Sequence, residues 1–206
     1  FSSAAVASGL ELESPEVEES CDELARRGQV LRPAGIGRFP DGSLSARYTF
    51  THGLYADVLG QRVAAARRAR LHQRIGVRGE ELYGKQVGVI AAELAVHFEE
   101  GRDFARAVHY RELAAENDAR RYANREATAQ LERALQLAAR LSAEERTDAS
   151  LRVLEALGLV RRSMGDMDGS AEAFEGLVAT AREHGRHETQ ARGLLYLASA
   201  LFWVDR

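Results

Sequence analysis

Two periods divide the chain. Ala46, Tyr48 and Phe50 alternate with Arg47 and Thr49, the two-residue period of a strand with one buried face. From Lys85 onward the apolar positions recur at three- and four-residue spacing, which predicts helix throughout. Ahead of the strand, the small-residue stretch from Phe1 to Gly9 predicts a short helix closed by glycine. Ser14-Pro15 predicts the start of a second, with serine as N-cap and proline in the first turn, where its missing N–H costs nothing. Val17, Cys21, Leu24 and Ala25 share one face of that helix, and Gly28 ends it. Val30-Leu31-Arg32 reads as the partner strand, joined to Ala46–Phe50 by a loop whose tip is Pro40-Asp41-Gly42. Asp-Gly between extended segments is a hairpin signal. An arginine-dense helix over Arg62–Arg78 follows.

Two helices, a β-hairpin and a helix make a small winged-helix-like unit, expected over residues 1–84. Residues 85–206 are expected to hold six helices: Gln86–Glu100, Asp103–Arg121, Arg125–Leu141 capped by Asn124, a fourth opened by the capping box Ser142-Ala-Glu-Glu145 and stopped at Gly165, then Asp168–His184 and Glu188–Val204. Short joints between them imply antiparallel hairpins stacked side by side. Leu94-Ala95-x-x-Phe98 precedes Asp103-Phe104, Ala107 and Ala114; Leu157-Gly158 precedes Gly165-Asp166, Ser170, Phe174 and Leu177; Leu197-Ala198-x-x-Leu201 begins the phrase again. These are the large and small positions of a tetratricopeptide repeat, where a small residue on one helix admits a bulky one from its partner. Gly158 and Ala95 are expected to let a neighbouring backbone approach, with Phe98 and Phe174 filling the gap. Arg161 stands where that repeat usually carries an aromatic, and the spacing from Leu94 to Leu157 is too long for one unit of about 34 residues. The fold class is therefore mainly α: a winged-helix-like unit, then a tetratricopeptide-like helical-hairpin solenoid, with a non-repetitive bundle as the alternative. Met164, Met167, Phe174 and Trp203 read as packing residues.

Composition changes this picture little. The 206 residues are 45% hydrophobic and 29% charged, with net charge −3, which gives no overall electrostatic case for nucleic acid. Charge is segregated, however: Glu11 to Glu23 holds seven acids, while Gln61 to Arg78 holds six arginines and no acid. No apolar run approaches the roughly 18 residues that span a bilayer. One cysteine, Cys21, precludes an internal disulfide and suits a reducing cytoplasm. The opening Phe1 and the apolar ending Trp203-Val204-Asp205-Arg206 suggest a piece of a longer protein. No GxxxxGK[ST] loop, G-x-S-x-G elbow or Cys/His nucleophile pattern occurs, so this segment is expected to be non-catalytic. His184 and His187 flank a loop and His97 and His109 lie on different helices, so no zinc site is expected.

Two features remain as candidate sites. Arg67, Arg68, Arg70 and Arg74 form a cationic stretch that could meet phosphates, or could pair with the acidic Glu11–Glu23 segment. The acidic hairpin tip favours the second reading. His52, at the turn from strand to helix, could cap and pack, or could contact a nucleotide.

The run RYTFTHGLYADVLGQRVAAARRARLHQRIG, followed by IAAELAVHFEEGRDFARAVHYRELAAENDARRYANREATAQLERALQLA, resembles bacterial signal-transduction ATPases of the STAND type. It is similar in particular to the large ATPases found with cyclase or transcription-regulator modules. In those proteins a nucleotide-binding domain precedes a winged helix and tetratricopeptide repeats. The resemblance implies ATP or ADP in a parent protein, held by an upstream domain of the same chain. It also implies a protein or small-molecule inducer on the repeats and a cytoplasmic location. A Met-His-Asp motif of the family contacts the ADP β-phosphate; Thr51-His52-Gly53 stands there in this chain, and only His52 matches. The alternatives are a DNA-binding regulator that reads a groove with its winged helix, and a plain repeat scaffold.

Overall fold

In the computed structural model, which describes residues 1–204 apart from the side chains of Asp57, Trp203 and Val204, the first helix α1 (Ser3–Leu10) is capped by Ser2, whose hydroxyl accepts from the Ala5 N–H. The packing expected of Trp203 lies outside the described residues. The chain is mainly helical, with one two-stranded antiparallel sheet among the described residues. It forms two compact units, the first Phe1–Asp103 and the second from Phe104 onward.

In the first unit α2 (Ser14–Arg26) follows α1. Ser14 is its first helical residue rather than its cap, and Pro15 sits in the first turn. Strands β1 (Leu31–Arg38) and β2 (Leu44–Phe50) pair in the register Leu31↔Phe50, Pro33↔Tyr48, Ile36↔Ala46 and Arg38↔Leu44. A bulge between Pro33 and Ile36 is permitted by Gly35, whose φ is +90°, a value costly for a side chain. At the tip, one Asp41 carboxylate oxygen accepts from both the backbone and hydroxyl of Ser43, which lowers the Asp41 pKa.

One core cluster of this unit joins Ala7, Val17, Cys21, Leu31 and Tyr48. Cys21 is buried, and burial first, then Asp22 and Glu18, pushes its thiol pKa up. Leu24, expected on the same face, is 43% exposed, because the core-facing line runs Val17–Cys21–Ala25 at four-residue steps. Ser45 is buried against the simple alternation. Its hydroxyl lies 2.8 Å from that of Ser3, which donates to Glu18 at 2.6 Å, and Ala46 N–H also reaches that carboxylate. Tyr48 donates to Asp22 at 2.7 Å. Buried polar groups need such partners, and here the partners tie α1, α2 and β2 together.

The arginine stretch is two helices. α3 (Gly53–Arg62) ends where Val63 turns extended, and α4 (Ala65–Tyr83) begins after it. A 3-10 helix, Gly84–Ile90, then precedes α5 (Ala91–Glu100). Gly84, Gly88 and the β-branched Val87, Val89 and Ile90 all weaken α-helix there, which is why helix does not start at Gln86. Phe98 of α5 is fully buried against Gly76 of α4, where a Cβ would stand 3.0 Å from its ring. The gap Phe98 fills is therefore offered by Gly76 within the first unit, not by Ala95 on its own helix.

The second unit comprises α6 (Phe104–Arg120), α7 (Asn124–Ala138), α8 (Ala143–Ser163), α9 (Met167–Glu183) and α10 (His187–Val204). Each packs mainly on its sequence neighbours, with further contact from α6 to α8 and from α8 to α10. Asn124 is the first residue of α7 rather than its cap. At α8 a capping box forms: the Ser142 hydroxyl accepts from the Glu145 backbone N–H and the Glu145 carboxylate accepts from the Ser142 backbone N–H at 3.3 Å, while the hydroxyl also donates to that carboxylate at 2.6 Å. One core cluster gathers Leu151, Ala171, Phe174, Leu177, Ala181 and Ala200, and Val108, Leu131 and Leu137 are buried on α6 and α7. Phe174 is fully buried on Gly158, as its spacing implied. Met164, expected to pack, is 42% exposed beside Thr128.

Arg161 has a structural role that its position on α8 makes visible. Its side chain is 18% exposed and donates to Glu132 of α7 at 2.8 Å, to Glu172 of α9 at 3.3 Å and to the Gly169 carbonyl at 3.0 Å. One guanidinium thus bridges three helices, a geometry suited to its planar fork. Arg161→Met is expected to lower stability by roughly 1 kcal/mol, since the helices lose a shared donor while Glu132, Asp166 and Glu172 remain open to water. Thermal melts would check this. A melting temperature unmoved by the exchange would show that the bridge is mere surface decoration.

Candidate functional site

The sequence-derived site residues fall into two separate places. His52 occupies the N-cap of α3 and is exposed. Its Nδ1 accepts from the Leu54 N–H at 3.2 Å, which satisfies one of the free amides at the helix start. A neutral ring so engaged carries its proton on Nε2. Capping therefore fixes the ring and leaves an N–H donor outside the hydrogen bond it makes.

Arg67, Arg68, Arg70 and Arg74 all lie on α4, the last three within two turns. Arg74 donates to the Gly9 carbonyl at 3.2 Å and pairs with Glu11 at 2.8 Å, which ties α4 to the residue that ends α1. Arg68 donates to the Gly60 carbonyl at 3.4 Å and stands 4.0 Å from Glu100. Arg67 and Arg70 are exposed and make no ion pair among the described residues. Arg70, Arg74 and Arg78 line a shallow groove of about 550 Å³ with Ser8 and Glu11. Among the described residues, the pairing expected between the arginine helix and the acidic segment is present at one position, Arg74–Glu11.

Sequence reasoning missed a histidine pair. His72 of α4 and His97 of α5 hold their Nδ1 atoms 3.1 Å apart. Burial, then the neighbouring His72, pushes the His97 pKa down to about 4. Burial also lowers that of His72, with Arg68 adding to the effect and Glu100 opposing it. Two residues 25 apart on unrelated-looking helices carry no sequence signal, because only the α4–α5 packing brings them together. No group of three or more His, Cys, Asp or Glu able to hold a metal occurs among the described residues.

The second unit carries a broader feature. A groove of about 470 Å³ lies between α6 and α8, lined by His109, Glu112, Leu113, Ala156 and Leu159 among others. A second, of about 260 Å³, lies between α8 and α10 around Asp148, Glu155 and Arg192. Arg152 lines both. Opposite charges cross them: Arg152 donates twice to Glu112, at 3.0 and 3.2 Å, and Arg192 donates to Glu155 at 2.9 Å. Arg186 reaches Asp148 at 2.8 Å. Within three residues α8 thus offers a cation to α6 and an anion to α10. The sequence did hold a trace of this, since each pair joins residues 37 to 40 apart, close to the 40-residue distance from Leu157 to Leu197.

No helix among the described residues is long and apolar enough to cross a membrane. Compared with protein-family models and with curated protein sequences, the chain matches none.

Proposed function

We propose that the chain is a non-catalytic regulatory and protein-interaction segment of a larger nucleotide-switched signalling ATPase. In this reading the first unit is a winged helix that relays ADP or ATP state from an upstream nucleotide-binding domain. The helices from α6 onward are tetratricopeptide-like repeats that take up an inducer or protein partner. The order of two helices, hairpin and further helices supports the first assignment. The repeated α6–α8 and α8–α10 contact, with grooves that share Arg152, supports the second.

The observation that carries the nucleotide link is the fixed ring of His52. Its Nδ1 is committed to the Leu54 N–H, so a neutral ring has Nε2–H left to donate to a phosphate oxygen. Such a contact would favour the closed, ADP-bound arrangement, and a partner on the repeats would shift the population only by preferring the open one. In the parent protein, His52→Ala is expected to speed the release of a fluorescent ADP analogue by roughly tenfold, equivalent to about 1.4 kcal/mol. An unchanged release rate would remove His52 from the mechanism.

Direct DNA reading is the second possibility, and exposed Arg67 and Arg70 are what favour it. Fluorescence anisotropy with a labelled duplex at physiological salt separates the two. Tight binding lost in an Arg67→Ala/Arg70→Ala variant would replace the leading proposal.

A further inference from the structure

The first unit contains a cleft of about 490 Å³ that shares Arg78 alone with the lining of the arginine groove and does not include His52. Its walls come from α1, the hairpin, α4, the 3-10 helix and α5, all within Phe1–Asp103. The floor is apolar, formed by Val6, Ile75, Leu82 and Ile90. Phe39 and Tyr83 meet edge to face at one side, 6.0 Å between ring centroids. Val89 at the mouth is 74% exposed, so apolar surface here faces water.

The rim is cationic. Arg38 and Arg47 line the cleft from adjacent strands, and neither makes an ion pair among the described residues. The Arg47 stem lies over Gly37, where a Cβ would stand 3.2 Å from its Cδ, so glycine makes room for that arm. Arg78 also lines the cleft but is paired with Glu81 at 3.0 Å, and Glu93 is the acid on the lining. Among the side chains, three cations against these two acids leave one positive charge in excess.

We propose that this cleft binds a small amphipathic monoanion, an apolar aliphatic or aromatic body with one carboxylate head. The body covers the apolar floor, and Arg38 and Arg47 receive the head at the rim. A volume within the roughly 300–1,000 Å³ usual for small-molecule sites suits such a ligand better than a polypeptide helix. Placing the head at the rim lets both guanidinium groups stay hydrated while the body gains from burial. This inference stands apart from the proposed role in a nucleotide switch and holds or fails independently of it.

The test uses decanoate, decanol and decyltrimethylammonium, titrated calorimetrically into the full chain. Decanoate is expected to bind at one site at least tenfold tighter than decanol, and the cationic amphiphile not to bind. Arg38→Gln/Arg47→Gln is expected to weaken decanoate at least tenfold, and Val89→Glu to weaken it as well. All of these residues are exposed, and circular dichroism melts would verify that the variants fold. Amide shifts in heteronuclear spectra should cluster at Val6, Phe39, Tyr83 and Ile90. Equal affinity for decanol, unaltered binding by the double arginine variant, shifts mapping elsewhere, or no saturable binding would each overturn the proposal.

Discussion

Gly158→Val is expected to be among the most damaging single substitutions in the second unit, with a loss of about 3 kcal/mol. A Cβ at this position would run into the ring of Phe174, which is fully buried and hemmed in by Leu177, Leu154 and Tyr196. Overpacking a filled core costs about 1–3 kcal/mol, and a β-branched residue adds rigid bulk to the clash. Phe174→Ala alone should cost about 3–5 kcal/mol through the cavity it leaves. The informative variant combines them. If the clash is the cause, Gly158→Val should cost much less in the Phe174→Ala background than in the parent chain, a coupling of about 2 kcal/mol in urea titrations. Additive losses would mean that Gly158 matters for some other reason, such as backbone conformation.

The second large effect concerns pH in the first unit. His97 has its folded pKa pushed down to about 4 from an ordinary value of 6.5, so the unfolded chain takes up a proton before the folded one does. Stability therefore rises with pH across this window. The contribution is fully present above about pH 6.5 and is lost as pH falls towards about 4, where the folded protein is protonated too. The shift corresponds to roughly 2–3 kcal/mol, taking about 1.36 kcal/mol per unit and allowing for partial solvent access. Protonation of both rings would also turn both Nδ1 atoms into donors and abolish the 3.1 Å contact. Among the charged neighbours, Arg68 works with the effect and Glu100 against it at His72. Urea midpoints measured from pH 7 to pH 4 should fall more steeply for the parent chain than for His97→Asn. Parallel profiles would show that carboxylates elsewhere account for acid lability.

Much of the fold could be read along the chain because its signals are local. The hairpin tip Asp41-Gly42, the Ser142–Glu145 capping box, and the helix stops at Gly28 and Gly165 each depend on residues within a turn of one another. Errors came where local signals were weak or balanced. The break at Val63 had only one β-branched residue to announce it, and the 3-10 segment after Tyr83 was masked by continuing apolar periodicity.

The candidate sites were legible in a different degree. His52 and the four arginines could be named, since junction and charge density are sequence properties. The acidic segment that holds Glu11 was legible from charge alone, but no periodicity encodes that Arg74 is the arginine it meets, or that Arg68 stands near Glu100. The His72–His97 pair and the Arg38–Arg47 rim went unnoticed for the same reason.

What the sequence determined by itself was the kind and order of elements, because caps, breakers and the spacing of apolar residues act over a few bonds. Tertiary structure alone decided which glycine receives which ring, that Arg161 spans three helices, and where apolar surface stays open beneath cations. Those outcomes depend on how whole helices and strands are held against one another, and side chains far apart in the chain acquire their energies only once that packing sets the distances between them.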